Sequence, residues 1–154
     1  NPHAHTISCG AARPSDFDTH VGALDYYERA NETITPIKEK IYSEVARTCG
    51  EDWLQTWHVG IPEWSDLPQE INVKDIVRLW TWAKAVDLLD FGTWRYNMLG
   101  SASHWFPGKI VQNYDENAMR AALRNSPHVD RILDILEEVR TLFADVPVKR
   151  LSQS

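Results

Sequence analysis

Cysteine is nearly absent: the two in this chain of 154 residues, Cys9 and Cys49, are too few for a disulfide framework, and neither sits in a paired-cysteine motif. A single bridge between them stays open. No apolar run reaches the about 18 residues that span a bilayer, because even the richest stretch carries Lys74, Asp75, Arg78, Lys84, Asp87 and Asp90. Basic runs are missing too. With a net charge of −6, the chain is poorly suited to nucleic acid or anionic lipid, where Lys and Arg must neutralise phosphates. Glycine is scarce, seven residues, and no stretch sustains the polar–apolar alternation of a strand. There is no initiator Met and no apolar or Arg/Ser-rich leader, as expected either of a processed, mature chain or of a piece trimmed from a longer one.

What is present is aromatic and helical. Seven Trp accompany an ordinary 43% hydrophobic and 25% charged content, and a chain of this length buries roughly two thirds of its unfolded surface without disulfide or metal. Residues 1–14 read as an irregular arm, 15–147 as one all-helical domain and 148–154 as a tail. Ser15 is placed as the cap of a first helix carrying Phe17, Val21 and Leu24 and running to about Arg29. Thr35 and Pro36 open a second, with Ile37, Ile41 and Val45 on one face, stopped by Cys49-Gly50. Further helices are expected over Glu51–His58, from Asp90 to Gly100, over Asp115–Arg124, and from Ser126-Pro127 to Pro147. The fold class is therefore all-α, six or seven antiparallel helices forming a bundle or a short right-handed superhelix.

The stretch Leu67–Phe91 is the most informative. Asn72 caps a helix that begins near Val73, with Asp75 at the positive end of its dipole. Ile76, Leu79, Trp80, Ala83 and Val86 make one stripe, yet Val77, Trp82 and Leu89 lie off it. Trp80 and Trp82 stand about 200° apart on an ideal helix, so with Trp80 in the core Trp82 turns to a second layer or a partner.

Catalytic signals are weak. The motifs GxSxG, GxGxxG and the P-loop are absent, as is a nucleophilic Cys with a recognisable His partner. His3, His5, Cys9, His20, Cys49 and His58 are metal-ligating types without metal-ligand spacing, so no metal is expected. Glu51-Asp52, Asp134 and Glu137-Glu138 are candidates for an acid–base pair, but Glu137 and Glu138 fall on the outer side of their helix, where solvated charge is the default. Tryptophans at helical spacing favour interface anchors over a ligand pocket. No catalytic residue and no cofactor is assigned.

Three blocks stand out together: Ser15-Asp16-Phe17-Asp18 followed by Tyr26-Tyr27, then Leu67-Pro68, Glu70 and the helix from Lys74 to Leu89-Asp90-Phe91, then Pro127-His128, Leu136-Glu137-Glu138, Arg140 and Val146-Pro147. In this order they resemble the mitochondrial cytochrome c oxidase subunit Va family, called subunit VI in fungi. Together they cover about half the chain. The chain departs from the family in an insertion between about Gly100 and Ser126, in Lys84-Ala85 where the family has a basic pair, and over Pro36–Trp64. The resemblance implies a divergent, non-catalytic accessory subunit on the matrix side of the mitochondrial inner membrane. Such a subunit holds no haem or copper and supports assembly and stability of the electron-transfer complex against its other subunits.

The expected partner interface is Trp82, Trp94, Trp105 and Phe106. Three rivals remain. One is a helical accessory subunit of another mitochondrial assembly, such as the F1 sector of ATP synthase. Another is a secreted helical effector or ligand-binding protein, suggested by the Asn31-Glu32-Thr33 sequon and the cysteine pair, and the third is a small helical enzyme.

Overall fold

The computed structural model describes residues 10–11, 13–101 and 106–144. Among them every regular element is helical, as the all-α expectation requires. The α-helices are α1 (Pro14–Gly22), α2 (Ala30–Cys49), α3 (Glu51–Thr56), α4 (Val73–Ala85), α5 (Leu89–Asn97), α6 (Glu116–Ala122) and α7 (Val129–Leu142). Short 3-10 turns occupy Ala23–Tyr26, Trp64–Asp66 and Pro68–Glu70.

Packing divides the span expected to be one domain, 15–147, between Glu39 and Lys40, within α2. No described residue before that point is buried. In the first unit Asp16, not Ser15, secures the start of α1: its carboxylate accepts the Arg13 N–H at 3.0 Å, and Pro14 takes the first helical position. The helix expected to reach Arg29 ends at Gly22 and tightens into the 3-10 turn. Helix α2 starts six residues before Pro36, which therefore lies inside it. Pro36 is exposed, so water can serve the carbonyl that its missing N–H leaves free.

In the second unit α4 packs against α5 and α7, and α6 packs against α7. Asn72 sets the start of α4 as its residue type predicts. Its Oδ1 accepts the Asp75 N–H at 3.1 Å, while its Nδ2 donates to the Pro107 carbonyl at 2.8 Å. The Asn72 N–H donates to Lys109 and the Lys109 N–H to Glu70, so the same residue fastens the segment after α5 to the beginning of α4. The stripe of α4 is buried through Val73, Ile76, Leu79 and Trp80, and that of α7 through Ile132, Leu136 and Val139.

One long helix to Phe91 does not form. Helix α4 stops at Ala85, Asp87 takes a left-handed φ of 56°, and α5 begins at Leu89, with Leu88 and not Asp90 in the cap position. The break resolves the excess of apolar surface, since two short helices folded on each other cover faces that one long helix would leave open. Of the two later starts only one shifts: Asp115 caps α6 as expected, through the Ala118 N–H at 3.1 Å, but α7 begins two residues after Pro127. There Ser126 Oγ accepts the His128 N–H at 3.2 Å instead of capping the helix. The expected stop at Pro147 lies outside the described residues.

Gly92 lets α5 approach the core. A Cβ there would stand 2.9 Å from Cε1 of Phe143, a ring with 1% exposure. Replacing a helical Gly by Ala gains up to about 1 kcal/mol in propensity, whereas overpacking a closed core costs about 1–3 kcal/mol. Gly92→Ala is therefore expected to lower stability by about 1 kcal/mol, read as a lower urea midpoint at unchanged m value.

Candidate functional site

The deepest polar junction lies around Trp53, which sequence analysis did not single out. Its ring is 1% exposed, its indole N–H donates to Thr81 Oγ1 at 3.0 Å, and the Thr81 hydroxyl donates to the Val77 carbonyl. Arg131 lies 4.0 Å over that ring and donates to the Cys49 carbonyl at 2.8 Å, placing a cation at the negative end of α2. Cys49 is buried, with no disulfide among the described residues, and burial pushes its thiol up more than Arg131 pulls it down. Cys9 lies outside the described residues.

His128 packs on Trp53 at 5.0 Å and meets Thr56 Oγ1 at 2.8 Å and Asp52 at 3.7 Å. This looks like a hydroxyl–imidazole–carboxylate relay, but both partners approach the same nitrogen, Nε2. A relay needs the nucleophile and the orienting carboxylate on opposite ring nitrogens. The Thr56 hydroxyl, moreover, donates to its own helix at the Asp52 carbonyl, so the cluster acts as a seam between α3 and the start of α7.

The carboxylate candidates separate. Asp134 and Glu137 line an open groove of about 580 Å³ between α6 and α7, together with Tyr114, Arg120 and Arg140. Arg120 binds Glu116 and Asp130 there, and Arg140 sits 3.2 Å from Glu137. Burial, and then the Glu137 charge, push the Tyr114 hydroxyl up to about 12. Glu138 points to the other side of α7, and the expectation of a merely solvated carboxylate is corrected. It accepts the Trp80 indole N–H at 2.8 Å and the Lys84 ammonium at 2.7 Å, joining α7 to α4. The carboxylate keeps about two-fifths of its exposure, while the apolar stripe of α4 turns Trp80 inward beside it.

Of the metal-ligating types, His3, His5 and Cys9 lie outside the described residues, and among the described residues no three His, Cys, Asp or Glu gather as a metal site.

The aromatic residues sort as the helix geometry requires. Trp80 is buried and Trp82 half-buried on the opposite side of α4. Trp82 lies 6.3 Å from Phe91, under Arg78 at 5.4 Å, and walls a groove of about 340 Å³ with Ile41, Tyr42, Leu54 and Trp57. Trp94 is 39% exposed and Phe106 half-buried against the core, while Trp105 lies outside the described residues. A residue with no motif to mark it, Arg95, joins them. The Arg95 guanidinium sits 3.7 Å over the Phe106 ring and 5.9 Å from both Phe91 and Trp94. Burial, then the charge of Arg78, lowers its pKa. The i, i+4 spacing of Phe91 and Arg95 on a helix was the signal that could have found it.

Burial works to raise the Glu138 carboxyl, but the hydrogen bonds from Lys84 and Trp80 outweigh it and leave it below its ordinary value. A lowered folded-state value contributes stability above the unfolded pKa and loses it as pH falls through the folded one. Because the pair is well exposed to solvent, Glu138→Gln is expected to cost only about 1 kcal/mol at neutral pH. The difference from the parent chain should shrink below about pH 4, in denaturation curves taken across pH.

Compared with models of protein families, with curated proteins and with solved structures, the chain finds no match in any of the three. The likeness to the oxidase subunit rests on the residues that carry it.

Proposed function

We propose that this chain is a non-catalytic helical subunit that binds other proteins through the face made by Trp82, Phe91, Trp94, Arg95 and Phe106. One observation carries the reading: large aromatic side chains are left partly exposed around Arg95, for which the described residues offer no hydrogen bond or ion pair. Aromatic residues and Arg are the types that concentrate binding energy at interface centres, and a soluble monomer gains nothing by leaving them open. No helix among the described residues is long and apolar enough to cross a membrane, which suits a peripheral subunit.

In its specific form the proposal takes the partner from the resemblance. The chain is an accessory subunit of mitochondrial cytochrome c oxidase, on the matrix side of the inner membrane, and contributes to assembly and stability without holding haem or copper. A second reading has an observation of its own: Asn31 of the sequon is exposed on the first turn of α2, where a glycan would meet no packing obstacle. That is the placement a secreted helical binding protein would need.

Native electrophoresis of solubilised inner membranes decides between them. The chain is expected to co-migrate with haem a absorbance, and Trp94→Ala to weaken that association about tenfold or more while leaving thermal stability nearly unchanged. Co-migration with ATPase activity instead would assign it to the F1 sector, and a glycan at Asn31 would assign it to the secretory pathway.

A further inference from the structure

The groove walled by Trp82 lies wholly within the second unit. Ile41, Tyr42 and Val45 reach it from α2, Leu54 from α3, Trp57 from the turn that follows, and Trp82 from α4. Its volume of about 340 Å³ falls in the range of sites for small organic molecules, which begins at about 300 Å³. Among the described residues no Asp, Glu, Lys or Arg lines it, whereas six such side chains line the groove between α6 and α7. An ion placed there would give up water without gaining a counter-charge, so the lining selects against charge.

Hydrogen-bond donors are left unused around it. In the interior the Trp53 indole N–H is bound by Thr81 and that of Trp80 by Glu138. The indole N–H groups of Trp57 and Trp82 have no acceptor among the described residues, yet neither is shut from solvent. The Tyr42 hydroxyl, on a side chain 51% exposed, is likewise without a partner among them. The remaining polar groups of the lining are engaged or edge-on: the Thr81 hydroxyl donates to the Val77 carbonyl, the Gln55 amide donates to Glu51 at 3.2 Å, and the His58 ring stands against Trp57 at 5.4 Å. Flat aromatic walls with open donors beside them suit a molecule that brings a ring and acceptor atoms.

We propose that this groove binds a neutral, flat ring compound that carries carbonyl or ether oxygen on its edge. The ring packs among Tyr42, Trp57 and Trp82, its oxygen accepts the free indole N–H groups, and its apolar edge covers Val45 and Leu54. A sugar suits the lining less, because its hydroxyls also donate and no carboxylate is there to accept them. An aliphatic protein side chain would cover both indole N–H groups without bonding either. The site goes beyond the docking proposal and shares only Trp82 with that face.

Titration of the purified full-length chain with coumarin, a neutral bicyclic lactone, tests this in proton–nitrogen correlation spectra, where the seven Trp give separate indole signals assigned by single Trp-to-Phe variants. The Trp57 and Trp82 signals are expected to shift together and to saturate with a dissociation constant of about 1 mM or tighter, with those of Trp53 and Trp94 unmoved. Trp57→Phe, which keeps a ring but loses the N–H, and Tyr42→Ala, at an exposed helix position, should each weaken binding about fivefold with unchanged far-ultraviolet circular dichroism. Trp94→Ala should leave it unchanged, so the outcome is independent of co-migration with the oxidase. Absence of a saturable shift at Trp57 and Trp82 up to the solubility limit of coumarin overturns the proposal. So does an equal shift at Trp94, equal affinity for the anion 2-naphthoate, or unchanged affinity in both variants. Tighter binding of glucose or of N-acetyl-leucinamide at the same signals contradicts it as well, making the groove a seat for a sugar or for a protein side chain.

Discussion

Trp53 brings four helices to one point, and the second unit is organised around its burial. Its N–H is bound by Thr81 of α4, one ring face carries Arg131 of α7, and the same arginine holds the last carbonyl of α2. The ring belongs to α3, only six residues long, which has too few hydrogen bonds to persist without such packing. Truncating a buried Trp in a closed core costs about 3–5 kcal/mol, a large share of a domain's net stability. The polar groups at the junction are each satisfied by a neighbour in the fold, so it reads as architecture and leaves chemistry with outside molecules to the surface.

That architecture determines which aromatic residues remain outside. With Trp80 drawn in toward Glu138 and Arg131, the opposite side of α4 has to present Trp82. The turn at Asp87 then folds α5 back so that Gly92 and Tyr96 face the core and Phe91 and Trp94 do not. Arg95, between those two faces, stacks on Phe106 and reaches no carboxylate among the described residues. The exposed aromatic–arginine face is thus a consequence of how α4 and α5 are packed, held by the same contacts that stabilise the core.

Much of this was legible in the sequence because it depends on local chemistry. Asn72 and Asp115 announce their helices through side chains that can reach the free amides of the first turn, and the 3.6-residue stripes of α4 and α7 name their buried faces. What was not legible depends on distant partners. A new helix near Asp90 was legible, but not its earlier start at Leu89 or the left-handed turn at Asp87, which go with the packing of α5 onto α4. Pro36 reads as a helix start by type, but its exposed position lets the helix run through it. Glu138 has the periodicity of a solvated residue and is instead claimed by Trp80 and Lys84, 58 and 54 residues away in sequence. Trp53 lies on a helix too short to show a period, and nothing local signals that Arg95 finds no ion pair among the described residues.

The account's central claim is that the Phe91–Trp94–Arg95 face is a binding surface and Trp53 and Trp80 are interior. Hydroxyl-radical footprinting with mass spectrometry, on the dilute isolated chain and on the chain in its native assembly, measures this directly. Trp94 and Phe91 should be labelled readily in the first and protected in the second, with Trp53 protected in both. Equal labelling of Trp94 in the two states would contradict the account.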